Sequence, residues 1–117
     1  MPYVDAFVLA VPKQSLEPYK ALARTAGEVS KEFGALAYVE CIDDDVPYGE
    51  LTSFPRAVQE KDNEIVALSW IVYESREQGD AVNAKVMADP RIKAAMSASP
   101  FDGKHLIYGG FETFLEL

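Results

Sequence analysis

A chain of 117 residues that is 49% hydrophobic and 26% charged matches one globular domain spanning residues 1–117 and leaves no room for a large disordered region. Its 19 acidic against 11 basic residues give a formal charge of −8 with the cations scattered, which argues against nucleic acid and anionic lipid as partners. The single cysteine, Cys41, rules out an internal disulfide and a CxxC site and points to a reducing, cytoplasmic setting.

The opening MPYVDAFVLAVP is apolar but short, has no basic segment and runs into Pro12, so it reads as a strand over residues 3–11 and not as a signal peptide or membrane span. Only Asp5 is charged there, the pattern of a strand covered on both faces. Ser15 is placed to cap a helix that tolerates Pro18 in its first turn. Leu16, Tyr19, Leu22, Ala23, Ala26, Val29 and Phe33 form its apolar stripe, and Gly34 its stop. Residues 36–42 alternate as a second strand, with Tyr38 and Glu40 on one side and Ala37, Val39 and Cys41 on the other.

The acidic run at residues 43–45 ends that strand in a loop, and residues 51–62 form an excursion compatible with either a bent strand or a helical turn at Pro55. Residues 65–73 are a third strand, apolar on both faces. Ser75 and Gln78 make a capping box for a second helix that carries Ala81, Val82, Val86 and Met87 inward until Asp89-Pro90 ends it, and a short helical turn with Ile92, Ala95 and Met96 follows. A turn at residues 100–103 precedes a fourth strand over 105–115, with a bulge or close backbone contact expected at Gly109-Gly110.

The order βαββαβ is the ferredoxin-like, split-βαβ arrangement of the α+β class: a four-stranded antiparallel sheet with both helices on one face. Strands apolar on both sides then need a second cover. A two-fold copy supplies it most simply, giving a homodimeric α+β barrel; the alternative is that the excursion and the C-terminal tail fold over that face.

His105, the only histidine, is the first candidate for acid–base chemistry, although a lone histidine beside a strand more often packs. Asp5, Glu40 and Glu112 each interrupt apolar strands and are candidates for a polar pocket. Cys41 lies among apolar alternation partners and reads as inert, and residues 43–45 lack the ligand spacing of a calcium loop. No phosphate loop, metal-ligand cluster or nucleophile elbow is present, so no cofactor and no metal are expected.

The stretches SFPRAV at 53–58, DAVNAKVMADPR at 80–91 and PFDGKHLIYGGFE at 100–112, together with YVEC at 38–41 and SWIVY at 69–73, resemble the YbaA-like family of bacterial proteins of unknown function. The resemblance spans nearly the whole chain and implies a ferredoxin-like fold of the dimeric α+β barrel superfamily. Other branches of that superfamily include cofactor-free monooxygenases, muconolactone isomerases and haem-dependent enzymes, so the fold alone selects no chemistry. The resemblance leads one to expect arginine where this chain has His105, which weighs against haem ligation and histidine catalysis. The resulting expectation is a small-molecule pocket between sheet and covering elements, lined by Tyr38, Glu40, Trp70, Asp102, His105 and Tyr108. Its chemistry would be cofactor-independent oxygenation or isomerisation of an aromatic or lactone-like compound, and its rival is a non-enzymatic, stress-related or protein-interaction module.

Overall fold

A computed structural model describes residues 1–99 and 103–117 of the chain. In chain order its elements are β1 (Tyr3–Pro12), α1 (Leu16–Glu32), β2 (Ala37–Ile42), α2 (Phe54–Ala57), β3 (Glu64–Tyr73), α3 (Arg76–Ala88), α4 (Pro90–Ser97) and β4 (Ile107–Glu112). The strands form one antiparallel sheet in the order β2-β3-β1-β4, the ferredoxin-like arrangement.

Period-two alternation sorts the strand residues between two faces, and the register aligns the sorting across the sheet. One face is built from the aligned rows of Val4 with Val72, Ala6 with Trp70 and Val8 with Leu68. Val39 and Cys41 extend these rows on β2, and Phe111 and Ile107 on β4. No helix of the main layer covers this face. The opposite face carries Leu9, Val11, Ala67, Ile71 and Tyr73 into a core shared with Tyr19, Ala23 and Val29 of α1, Val82 and Val86 of α3 and Ile92 of α4.

The expected stripe of α1 is buried or half-buried throughout, and Gly34 takes φ +122°, the left-handed conformation that ends the helix. Ser15 makes no side-chain cap; a 3-10 turn at Lys13–Ser15 leads the chain into the helix instead. The 51–62 excursion resolves into α2, whose N-terminus is capped by Ser53 Oγ accepting from the Arg56 N–H at 3.1 Å. Arg56 also donates to the Tyr48 and Gly49 carbonyls at 3.0 and 2.9 Å, fastening the preceding loop. This segment seats the fully buried Val58 against Ala10 and Val66, so it covers one corner of the helix-free face.

Ser75 Oγ accepts from the Gln78 N–H at 3.1 Å to open α3. The face that α3 buries holds Gly79, Val82 and Val86, whereas Ala81 and Met87, expected inward, are exposed. The reason is Tyr73, whose ring lies 2.9 Å from where a Cβ on residue 79 would stand, so glycine sets which side of α3 approaches the sheet. Asp89 Oδ1 accepts from the Arg91 N–H at 2.8 Å and so caps α4, which starts afresh with Pro90 in its first turn.

The fourth strand is shorter than expected. His105 belongs to a 3-10 turn at Gly103–His105, and pairing stops at Tyr3 with Glu112 because β1 begins there. Gly109 and Gly110 pair in continuous register with Ala6 and Asp5, so no bulge forms; Gly110 meets the expectation of a close contact, since a Cβ there would stand 2.7 Å from ring carbons of Tyr3.

Candidate functional site

Strand β2 holds Tyr38 and Glu40 two residues apart, hence on the same, helix-covered side of the sheet. Helix α1 crosses above them and lowers Tyr19 onto the carboxylate. Tyr19 Oη donates to Glu40 Oε1 at 2.6 Å and Tyr38 Oη donates to Glu40 Oε2 at 2.9 Å, so each carboxylate oxygen accepts one phenol. Gly27 makes this possible. A Cβ at residue 27 would stand 2.8 Å from Cδ1 of Tyr38, so only glycine lets the Tyr38 ring lie under α1.

Burial is the main cause that pushes the Tyr19 and Tyr38 phenols far above their ordinary range, reinforced by the hydrogen bond to Glu40 and its negative charge. Both phenols therefore stay protonated donors at any physiological pH. The array stands between two spaces. An outer cleft of about 670 Å³ runs beside α1 and β2 and is rimmed by Lys20, Arg24 and Lys31. An inter-layer pocket of about 300 Å³ lies between helices and sheet, walled by residues such as Phe7, Leu22, Ile71, Ile92 and Leu106. Tyr19, Ala23, Tyr38 and Glu40 line both.

A second polar set meets the inter-layer pocket through Asn83 of α3. Its amide Nδ2 donates to Asp5 Oδ2 at 3.1 Å and its Oδ1 accepts from Tyr73 Oη at 3.2 Å, which fixes the amide orientation. Burial, and next the charge of Asp5, raise the Tyr73 phenol as well. Among the described residues no group of His, Cys, Asp and Glu is arranged to hold a metal ion. The acidic run has a backbone task instead, since Asp43 Oδ2 accepts from the Val66 N–H at 2.8 Å.

Of the residues singled out in the sequence, Tyr38 and Glu40 come together in this array. Trp70 pairs in register with Val39 and lies on the helix-free face, away from it. Tyr108 is 73% exposed on the edge strand β4 and His105 sits half-buried in its turn; neither lines the cleft or the pocket. Asp102 lies outside the described residues. Cys41 lines the outer cleft from the helix-free side of β2. Three participants went unnoticed in the sequence: Tyr19, Asn83 and Gly27. The available signal was a tyrosine within a buried helical stripe, because a buried hydroxyl must find a partner.

Comparison with known proteins adds family and fold. A family model described as "Protein of unknown function (DUF1428)" matches residues 2–103. The chain is 50% identical over 116 residues to the uncharacterized protein YbaA of Escherichia coli strain K12, covering 99% of each chain, and equally to that of Shigella flexneri. The structure of Rv0793 from Mycobacterium tuberculosis is similar with a TM-score of 0.61 at 13% identity, covering 99% of this chain and 98% of that one, a likeness of fold alone. No helix among the described residues is long and apolar enough to cross a membrane.

Proposed function

We propose, for a chain that belongs to the DUF1428 family of proteins of unknown function, that it binds a small, largely apolar molecule in the inter-layer pocket and moves a proton at Glu40. The observation that carries this reading is the Glu40 carboxylate with one phenol on each oxygen, lining a largely apolar pocket that also holds Ser30, Ser69 and Asn83. A carboxylate there can take a proton from an acidic C–H or O–H of the bound molecule. The electron pair left behind moves onto the adjacent carbonyl oxygen, and a Tyr19 or Tyr38 phenol turning from Glu40 to that oxygen stabilises it. Return of the proton at another carbon completes an isomerisation. Cofactor-independent oxygenation starts from the same anion, with molecular oxygen as co-reactant.

In the same reading the chain acts as one domain in the cytoplasm and pairs with a copy of itself through the helix-free face. That face presents aligned apolar side chains from all four strands, and an identical sheet related by a two-fold axis offers the same rows in return. A non-enzymatic, protein-interaction role has its own support in the exposed apolar tail, where Phe114 and Leu117 are among the most exposed large side chains.

Exchange of the α-protons of 2-tetralone, a bicyclic ketone, in deuterated buffer tests the proton-transfer reading by NMR. Wild-type protein should accelerate exchange and Glu40→Gln should lose about 10²-fold or more of that acceleration. Equal exchange by the two proteins, both folded by circular dichroism, would remove Glu40 as the base and leave the interaction reading.

A further inference from the structure

The charges around the Tyr19–Glu40–Tyr38 array are unevenly divided. In the outer cleft three cations face solvent, and each is engaged: Lys20 with Glu17 at 3.4 Å, Arg24 with Glu28 at 3.1 Å, and Lys31 Nζ with the Leu36 carbonyl at 2.8 Å. In the inter-layer pocket Glu40 is the one charged side chain among the described lining residues. A second carboxylate, Asp5, reaches the lining through Asn83. A ligand in this pocket therefore meets negative charge at Glu40, negative charge behind the Asn83 amide, and largely apolar walls.

Moving a carboxylate-bearing ligand into that space strips its hydration, offers no cation among the described lining residues in return and sets it against Glu40, where like charges repel strongly. The whole molecule's charge of −8 adds to the same bias. An uncharged ligand loses little on entry, and the polar groups suit it. The Glu40 oxygens keep lone pairs beyond those used by the two phenols and accept from an O–H, N–H or activated C–H. The Asn83 amide has two N–H groups, one of which is given to Asp5, so the other can donate to a carbonyl or hydroxyl oxygen. A volume of about 300 Å³ is roughly ten times the ~30 Å³ that a water molecule takes in the liquid, room for on the order of ten non-hydrogen atoms.

We propose that the pocket takes uncharged, bicyclic-sized molecules that carry a donor for Glu40, and that it rejects their carboxylates. This rests on the inter-layer pocket being the ligand site, and it narrows the substrate class by removing acids such as lactone carboxylates, which fold analogy alone would admit.

The test compares 2-naphthol with 2-naphthoate, which share a ring system and differ in charge at neutral pH, by isothermal titration against the full chain. The wild-type protein should bind naphthol at least ~10-fold more tightly than naphthoate, and in Glu40→Gln the ratio should fall toward ~1 because the repelling charge is gone. The wild-type comparison stands by itself if the variant does not fold. Naphthoate binding as tightly as naphthol to wild type would overturn the charge rule. If 2-tetralone exchange at Glu40 persists in that case, the proton-transfer reading survives its loss. Failure of both probes to bind would overturn the pocket as a ligand site.

Discussion

The two faces of the sheet are made from alternate residues of the same strands, yet they differ in kind. Under the helices lie Asp5, Tyr38, Glu40, Ser69 and Tyr73, side chains with polar atoms amid the core. On the bare face the aligned rows run through Val4, Ala6, Val39, Cys41, Leu68, Trp70 and Phe111 with no carboxylate, amine or guanidinium among them. The covered face tolerates polar groups because α1 and α3 bring partners to them: Tyr19 to Glu40, and Asn83 to Asp5 and Tyr73. In the proposed dimer a face covered by an identical face would have no such supply, since each polar group would meet a symmetry-related neighbourhood of the same apolar rows. The difference fits the proposed division of labour, with chemistry under the helices and association on the bare side.

The largest expected effect comes from placing a charge on the bare face. Leu68→Asp sets a carboxylate among Val8, Cys41 and Trp70 where two copies would meet, without disturbing the helix-covered core. Burying it unpaired costs several kcal/mol, so sedimentation should give a dimer for wild type and a folded monomer for the variant. A variant that stays dimeric would break the comparison on that side.

A smaller effect is expected on the covered side at Gly27→Ala. The new methyl would lie 2.8 Å from the Tyr38 ring, forcing the ring off and separating its hydroxyl from Glu40. Urea denaturation should show a loss of about 1–3 kcal/mol, and the variant should lose 2-tetralone exchange in parallel with Glu40→Gln. Full exchange with unchanged stability would mean that Tyr38 does not depend on this glycine.

The smallest effect is a slope. Tyr19, Tyr38 and Tyr73 all have phenol pKa values raised in the folded protein, chiefly by burial, so the unfolded chain releases their protons first as pH rises. Their contribution to stability is complete below the ordinary phenol value of about 10 and falls above it, by about 1.4 kcal/mol per pH unit for each tyrosine. Tyr38→Phe should flatten the alkaline limb by one such share, measured by denaturation at stepped pH. An unchanged slope would mean that the Tyr38 phenol titrates as it does in the unfolded chain.

Much of this arrangement was legible in the chain. The two-sided apolar runs of β1 and β3 and the helical stripe of α1 carry their own periodicity, and Tyr38 with Glu40 two residues apart announces a shared face. What escaped depends on contacts between elements. Tyr19 lies 21 residues before Glu40, and only the crossing of α1 over β2 joins them. Composition places Trp70 in one pocket with Tyr38 and Glu40, but the β2–β3 register, invisible in sequence, sets it opposite Val39 on the other face. His105 reads as the start of the fourth strand, yet β4 begins only at Ile107: β1 continues beyond Val8 to Pro12, but residues 103–105 turn as a 3-10 helix and do not pair with it.

The most direct test of the division of labour is a crystal structure grown with 2-naphthol. The account predicts two copies with their bare faces packed together and, in each, a naphthol between helices and sheet with its hydroxyl within hydrogen-bonding distance of a Glu40 carboxylate oxygen. Bare faces left open to solvent, or naphthol seated on the Leu68–Trp70 side of the sheet, would contradict it.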